Sequence, residues 1–289
     1  MPDYPILPCQ VNSAWKQTIE DYATALEKAA FSIGQHGMTE EEFMESGLFE
    51  SAIERLRGRR AATQKAKRQI VESILHFLQE RNAISSWAFK GQGERHDYIV
   101  TFSDGWIACI ETKGCLDGNN TNIFKRPPNA DEFIMWSLCQ NSGSDPRHNA
   151  WSGIHTRLGA EIINRKEKVD GLIIWDMACG TVGRPCPKIA TKAEKVTRIG
   201  EYALPPPCIF LFPRTIPDPR NNPAPPTWNL NEIRFLAILA DAFHVTVDEC
   251  TKVEIHARMD GANTQRKTIC TMNTAVLRES DWQDIKRSS

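Results

Sequence analysis

Apolar residues recur at three- and four-residue spacing at Ile70, Ile74, Leu75, Phe77 and Leu78, which predicts a helix over residues 60–81 with one buried face. Residues 14–48 show the same period earlier, at Ile19, Tyr22, Ala23 and Leu26. Within that stretch Thr39 and Glu42 have capping-box spacing, so a helix start is expected with Thr39 as N-cap and Glu42 at N3. After residue 81 the pattern shortens. Three β-prone runs follow, over residues 84–89, 97–102 and 106–113, with the tight-turn sequence Ser103-Asp104-Gly105 between the last two. A polar loop covers 116–129. Helical stretches are expected from near Asp131 and over 151–165, and buried strands over 169–175 and 208–212.

Proline then changes the picture. Residues 205–226 are too rich in it for a helix interior or a central strand, which places a boundary there. Beyond it, residues 231–243 read as a helix, and 253–258 and 268–272 as a hairpin around Asp260-Gly261. The core order of helix, three strands, helix, strand predicts an α/β fold, a mixed central sheet flanked by helices. The expected plan is an N-terminal helical extension over 1–60, a core over 61–215 and a C-terminal α+β subdomain over 216–289.

Bulk numbers narrow the class. Of 289 residues, 41% are hydrophobic and 25% charged, the balance of a folded domain rather than a disordered chain. Net charge is −1 and the pI about 6.7, so any affinity for a polyanion must come from a local basic face. No leader-like opening or membrane-spanning run is recognised, and the nine cysteines are scattered through apolar runs. These features set the expectation of a cytoplasmic protein with free, mostly buried thiols and no membrane association.

The candidate chemistry lies in the hairpin. A three-residue loop with Gly105 left-handed makes Phe102 face Trp106, and the register then pairs Val100 with Ala108, Tyr98 with Ile110 and Asp97 with Glu111. Because side chains alternate, Tyr98, Val100, Phe102, Trp106, Ala108 and Ile110 share one face, while Asp97, Glu111 and Lys113 share the other. Two opposed carboxylates repel unless positive charge lies between them. Lys113 and a divalent cation would supply it, and oxygen ligands suit Mg²⁺. A two-residue loop would instead put Asp97 and Glu111 on opposite faces.

Asp97 followed by Glu111-Thr112-Lys113 resembles the signature of the PD-(D/E)XK nucleases, which include type II restriction endonucleases. The surrounding elements, over residues 61–212, are similar to the core of that family; His96 stands where the motif's proline would be. The resemblance implies a restriction-endonuclease-like core and Mg²⁺-dependent hydrolysis of phosphodiester bonds in double-stranded DNA, leaving 5′-phosphate ends. It further implies that Asp97, Glu111 and the Thr112 carbonyl bind the metal and that Lys113 assists the attacking water. Glu72, on the preceding helix, is a further candidate ligand; a solvent-facing helix glutamate is the competing reading. Two cuts across a duplex need two sites, which implies a homodimer or a heteromeric endonuclease subunit. A repair or recombination nuclease of the same fold, or a DNA-binding module that does not cut, are the alternatives.

Other features are candidates for contact with DNA. Arg57, Arg59, Arg60 and Lys65 belong to a basic run ahead of the helix, and Arg184, Lys188 and Lys192 to a second basic stretch. The subdomain past residue 215 would serve DNA recognition or dimerisation. His148 and His155 flank Trp151, with structural roles as the simpler reading. Cys179, Cys186 and Cys208 lack zinc-site spacing, and Trp106, Trp136, Trp151 and Trp175 read as core.

Overall fold

Helix α1 (Gln64–Glu80) buries Ile70, Val71, Ile74, Leu75 and Leu78, the face that its sequence period lays out. It stops at Asn82, whose φ of 56° is left-handed; Asn82 N–H bonds to Gln79 O and Ala83 N–H to Leu78 O, so both orphaned carbonyls are satisfied by a Schellman turn. This computed structural model describes residues 21, 24, 39, 41–42, 64–90, 96–113, 125–139, 150–151, 153–176, 197–200, 202–204 and 206–285. The N-terminal extension is therefore largely outside the described residues, although the Thr39–Glu42 capping box is formed in both directions, at 2.9 and 3.2 Å.

Strands β1 (Ser86–Phe89), β2 (Tyr98–Thr101) and β3 (Ile107–Lys113) make an antiparallel meander. Strand β4 (Glu132–Cys139) pairs parallel with β3, and β5 (Gly171–Asp176) parallel with β4. A short hairpin, β6 (Thr197–Ile199) and β7 (Tyr202–Leu204), stands apart from the main sheet. Strand β8 (Cys208–Leu211) then lies antiparallel to β5 and parallel to β9 (Thr251–Asp260). Finally β10 (Asn263–Met272) pairs with β9, and β11 (Ala275–Glu279) and β12 (Gln283–Asp284) pair with β10. The result is an α/β fold built on one mixed ten-stranded sheet, in the order β1-β2-β3-β4-β5-β8-β9-β10-β11.

Two cores cover its faces. On one, α1 and α3 (Arg234–Ala242) pack Ile74, Leu75, Phe235 and Leu239 against Val100, Ile110, Trp136 and Ile173. On the other, a π-helical turn (Ile154–Leu158) running into α2 (Gly159–Arg165) sets Ile154, Leu158 and Ile162 against Cys109, Met135, Leu172, Val253 and Cys270. Trp136 and Trp175 are core, as expected. No described helix is long and apolar enough to cross a membrane.

Two expectations change. The helix placed near Asp131 is strand β4. Its run from Phe133 to Trp136 is buried on both sides, and an apolar run without a period reads equally well as buried helix or buried strand. The boundary at 215/216 does not divide two cores: β9 extends the sheet from β8, and α3 packs with α1. The described prolines of residues 205–226 lie outside the strands, Pro206 and Pro207 just before β8 and the rest in the bridges and turns between β8 and α3.

Candidate functional site

The turn between β2 and β3 has the three-residue form. Gly105 has φ 84°, where a side chain would be strained, and Phe102 exchanges hydrogen bonds with Trp106 and Gly105 at 3.0 Å. The register follows: Tyr98 opposite Ile110, Ile99 opposite Cys109, Val100 opposite Ala108. Tyr98, Val100, Ala108 and Ile110 line the α1 core; Cys109 lines the other, which puts Glu111 and Lys113 on the α2 side by alternation.

Asp97 meets β3 in a way that simple pairing does not anticipate. Ladder pairing ends at Tyr98, and the Asp97 N–H donates to Ile110 O at 3.0 Å. Ile110 and Ala108 point their backbone groups toward β2, so Thr112 does too, beyond the last paired residue. The Asp97 carboxylate fills that gap. Its Oδ2 accepts the Thr112 N–H at 2.7 Å and a very short bond from the Thr112 hydroxyl. Asp97 is thus fixed on the residue beside Glu111 rather than directly across from it.

Lys113 Nζ donates to Glu111 Oε1 at 2.8 Å, both side chains being largely enclosed. Glu111 is 8% exposed. Burial pushes its carboxyl up to about 7, against the pull of Lys113 and with a further push from the negative charge of Asp97. A buried acid that a second carboxylate makes costlier to ionise favours any cation able to join the two. Asp97 Oδ1 and Glu111 Oε2 are the carboxylate oxygens here that no described residue engages. A pair of carboxylates is nevertheless a sparse ligand set: among the described residues no three His, Cys, Asp or Glu side chains gather at one point. A hard cation that retains several waters fits such a set better than zinc, which is held by three or four protein ligands, mostly nitrogen and sulfur.

The structure brings together Asp97, Glu111, Thr112 and Lys113. It does not bring Glu72 to them. The Tyr98 hydroxyl, facing α1, bonds to Glu72, and burial followed by the Glu72 charge raises the Tyr98 pKa. Of the basic candidates, Arg57, Arg59, Arg60, Arg184, Lys188 and Lys192 lie outside the described residues, as does the side chain of Lys65. Arg68, from the same run, lies 3.9 Å over the Phe89 ring. His148, Cys179 and Cys186 are also outside; Cys109, Cys208, Cys250 and Cys270 are thiols that form no disulfide.

Sequence reasoning missed Ser137. It pairs in register with Lys113 on β4, is fully buried, and shares the Met135 face by alternation. The signal was a lone hydroxyl in the apolar run 133–138, hidden once that run was read as helical. Comparison with known proteins returned no matching family model, no similar curated protein and no similar solved structure.

Proposed function

We propose that this chain is a Mg²⁺-dependent DNA endonuclease of the PD-(D/E)XK kind, a type II restriction enzyme with its restriction-endonuclease-like core in residues 61–215. One observation carries the reading: the Asp97 carboxylate is fixed on Thr112, between Glu111 and Lys113 in the chain, and Lys113 is bonded to Glu111. Asp97 Oδ1, Glu111 Oε2 and the Thr112 carbonyl would hold Mg²⁺. Bound there, the metal supplies charge to polarise a phosphoryl oxygen and acidify a water. Lys113 keeps Glu111 toward its ionised form and offers a proton-bearing nitrogen to orient that water. Thr112 fixes the direction of Asp97. Action on double-stranded DNA as a homodimer, or beside a partner subunit, would place two such sites on one duplex. The free thiols suit the reducing cytoplasm.

Digestion of a sequenced plasmid tests this. Mg²⁺ is expected to give discrete fragments with 5′-phosphate ends, and EDTA none. Lys113→Ala should slow cleavage by about 100-fold or more, the usual scale for losing a positioned proton-transfer group. Full activity in Lys113→Ala, or cutting that survives EDTA, would overturn the assignment.

A further inference from the structure

Arg266 is the only Arg or Lys buried among the described residues, at 3% exposure. It projects from β10 toward the π-helical turn and α2. Its Nη2 donates to Gln283 Oε1 at 3.1 Å and its Nη1 to Thr268 Oγ1 at a long 3.5 Å, while Nε has no acceptor. Among the described residues no carboxylate forms an ion pair with it. Burial is what lowers its pKa, to about 10, with no neighbouring acid to offset it. Buried charges are ordinarily paired or hydrogen-bonded, and among the described residues the buried acids Glu111, Glu132 and Asp170 each accept such bonds.

The groups beside Arg266 carry no negative charge: Gln283 and Thr268 are neutral, and so is the imidazole of His155. His155, on the π-helical turn, has an enclosed Nδ1 with no partner, and its ring stacks on Trp151 with centroids 4.6 Å apart. Burial, then the charge of Arg266, disfavours the imidazolium form. Gly159 lets the helix backbone close on this point. A side chain there would meet Thr268 Oγ1 at 3.2 Å, Ile154 O at 3.3 Å and Arg266 Cδ at 3.5 Å. A π turn, rare in helices and frequent at functional sites, is what carries His155 to this position.

We propose that Arg266, His155 and Thr268 form a binding site for a phosphate-class oxyanion between the π-helical turn and β10. A guanidinium fork, an imidazole N–H and a hydroxyl offer directed donors to several oxygens of one tetrahedral group. The site lies five strand positions from Glu111 along the sheet, about 24 Å at the usual spacing. It therefore stands independently of the nuclease reading.

The test is a titration of the full chain with inorganic phosphate, against chloride at matched ionic strength and with EDTA present. Binding is read by calorimetry and by melting temperature. Saturable binding with a rise in melting temperature is expected for the native chain. Arg266→Met should abolish it, and His155→Phe, which keeps the stack on Trp151, should weaken it by about tenfold, the scale of one charge-assisted bond. Lys113→Ala should leave it unchanged. A blunt DNA duplex that displaces phosphate identifies a DNA phosphate as the occupant; a duplex that leaves phosphate in place identifies a free phosphate; both sustain the site. The proposal falls if phosphate acts no differently from chloride, if His155→Phe binds as the native chain does, or if Lys113→Ala loses binding. The last result would place the phosphate at the Asp97–Glu111 centre. Should Arg266→Met fail to fold, the native and His155→Phe titrations decide.

Discussion

Buried acids occur in two settings in this protein, and their surroundings differ. Asp170 is 2% exposed yet fully served: Arg126 at 2.6 Å, Lys168 at 3.0 Å, the Phe133 N–H at 2.8 Å and the Trp228 indole at 3.2 Å. Glu132 accepts the N–H groups of Arg234 and Phe235, at 2.5 and 3.0 Å, and so caps α3 from strand β4. Glu111 has Lys113 and a like-charged neighbour. The first two acids join segments distant in sequence through several donors each, although burial still raises the Glu132 pKa against the pull of the Phe235 and Arg234 N–H groups. The third is left costly to ionise. A fold that satisfies Asp170 with four donors is able to satisfy Glu111, and that it does not is what singles out the corner between β2 and β3.

Mutation should separate the two settings. Asp170→Ala would strand Arg126 and Lys168 and free the Phe133 N–H. A loss of about 3 kcal/mol in denaturant unfolding is expected, near the lower end for breaking an enclosed ion pair because both cations are partly exposed. A loss below 1 kcal/mol would erase the contrast. Glu111→Gln should act in the opposite direction. The Glu111 pKa is raised in the folded state, so the neutral carboxyl carries no penalty below the unfolded value near 4.5, and the penalty grows as pH rises through about 7. Without divalent metal, the native chain should therefore lose about 2 kcal/mol relative to Glu111→Gln between pH 5 and pH 8. Parallel stability curves for the two proteins would show that Glu111 is as well satisfied as Asp170. Glu132→Gln keeps one of the two acceptor oxygens, sets an amide NH2 against the other backbone N–H and removes the charge at the α3 N-terminus. It should cost about 1 kcal/mol, measured the same way above pH 7. No loss would remove Glu132 from the structural set.

Much of the corner was legible in the chain. Ser103-Asp104-Gly105 specifies its own turn because Gly105 tolerates φ 84°, and the turn length sets the parity of every residue up to Tyr98. The α1 face and the Thr39–Glu42 cap are equally local. Asp97 was legible only as a neighbour of Glu111. Its bond to Thr112 depends on where the β2 ladder ends, and no propensity encodes that. Strand β4 was misread because burial on both faces erases the two-residue period.

The sequence by itself determined, then, the α/β class, the turn, the register and the gathering of Asp97, Glu111 and Lys113, all within seventeen residues of chain and governed by alternation and one glycine. Only the tertiary structure decided which acids are satisfied. The donors to Asp170 include Arg126 and Trp228, Glu132 caps a helix 102 residues away, and the charge of Arg266 is felt at His155 on another element. Counter-charges come from segments remote in sequence, and the free energy of a buried charge depends on what surrounds it in space.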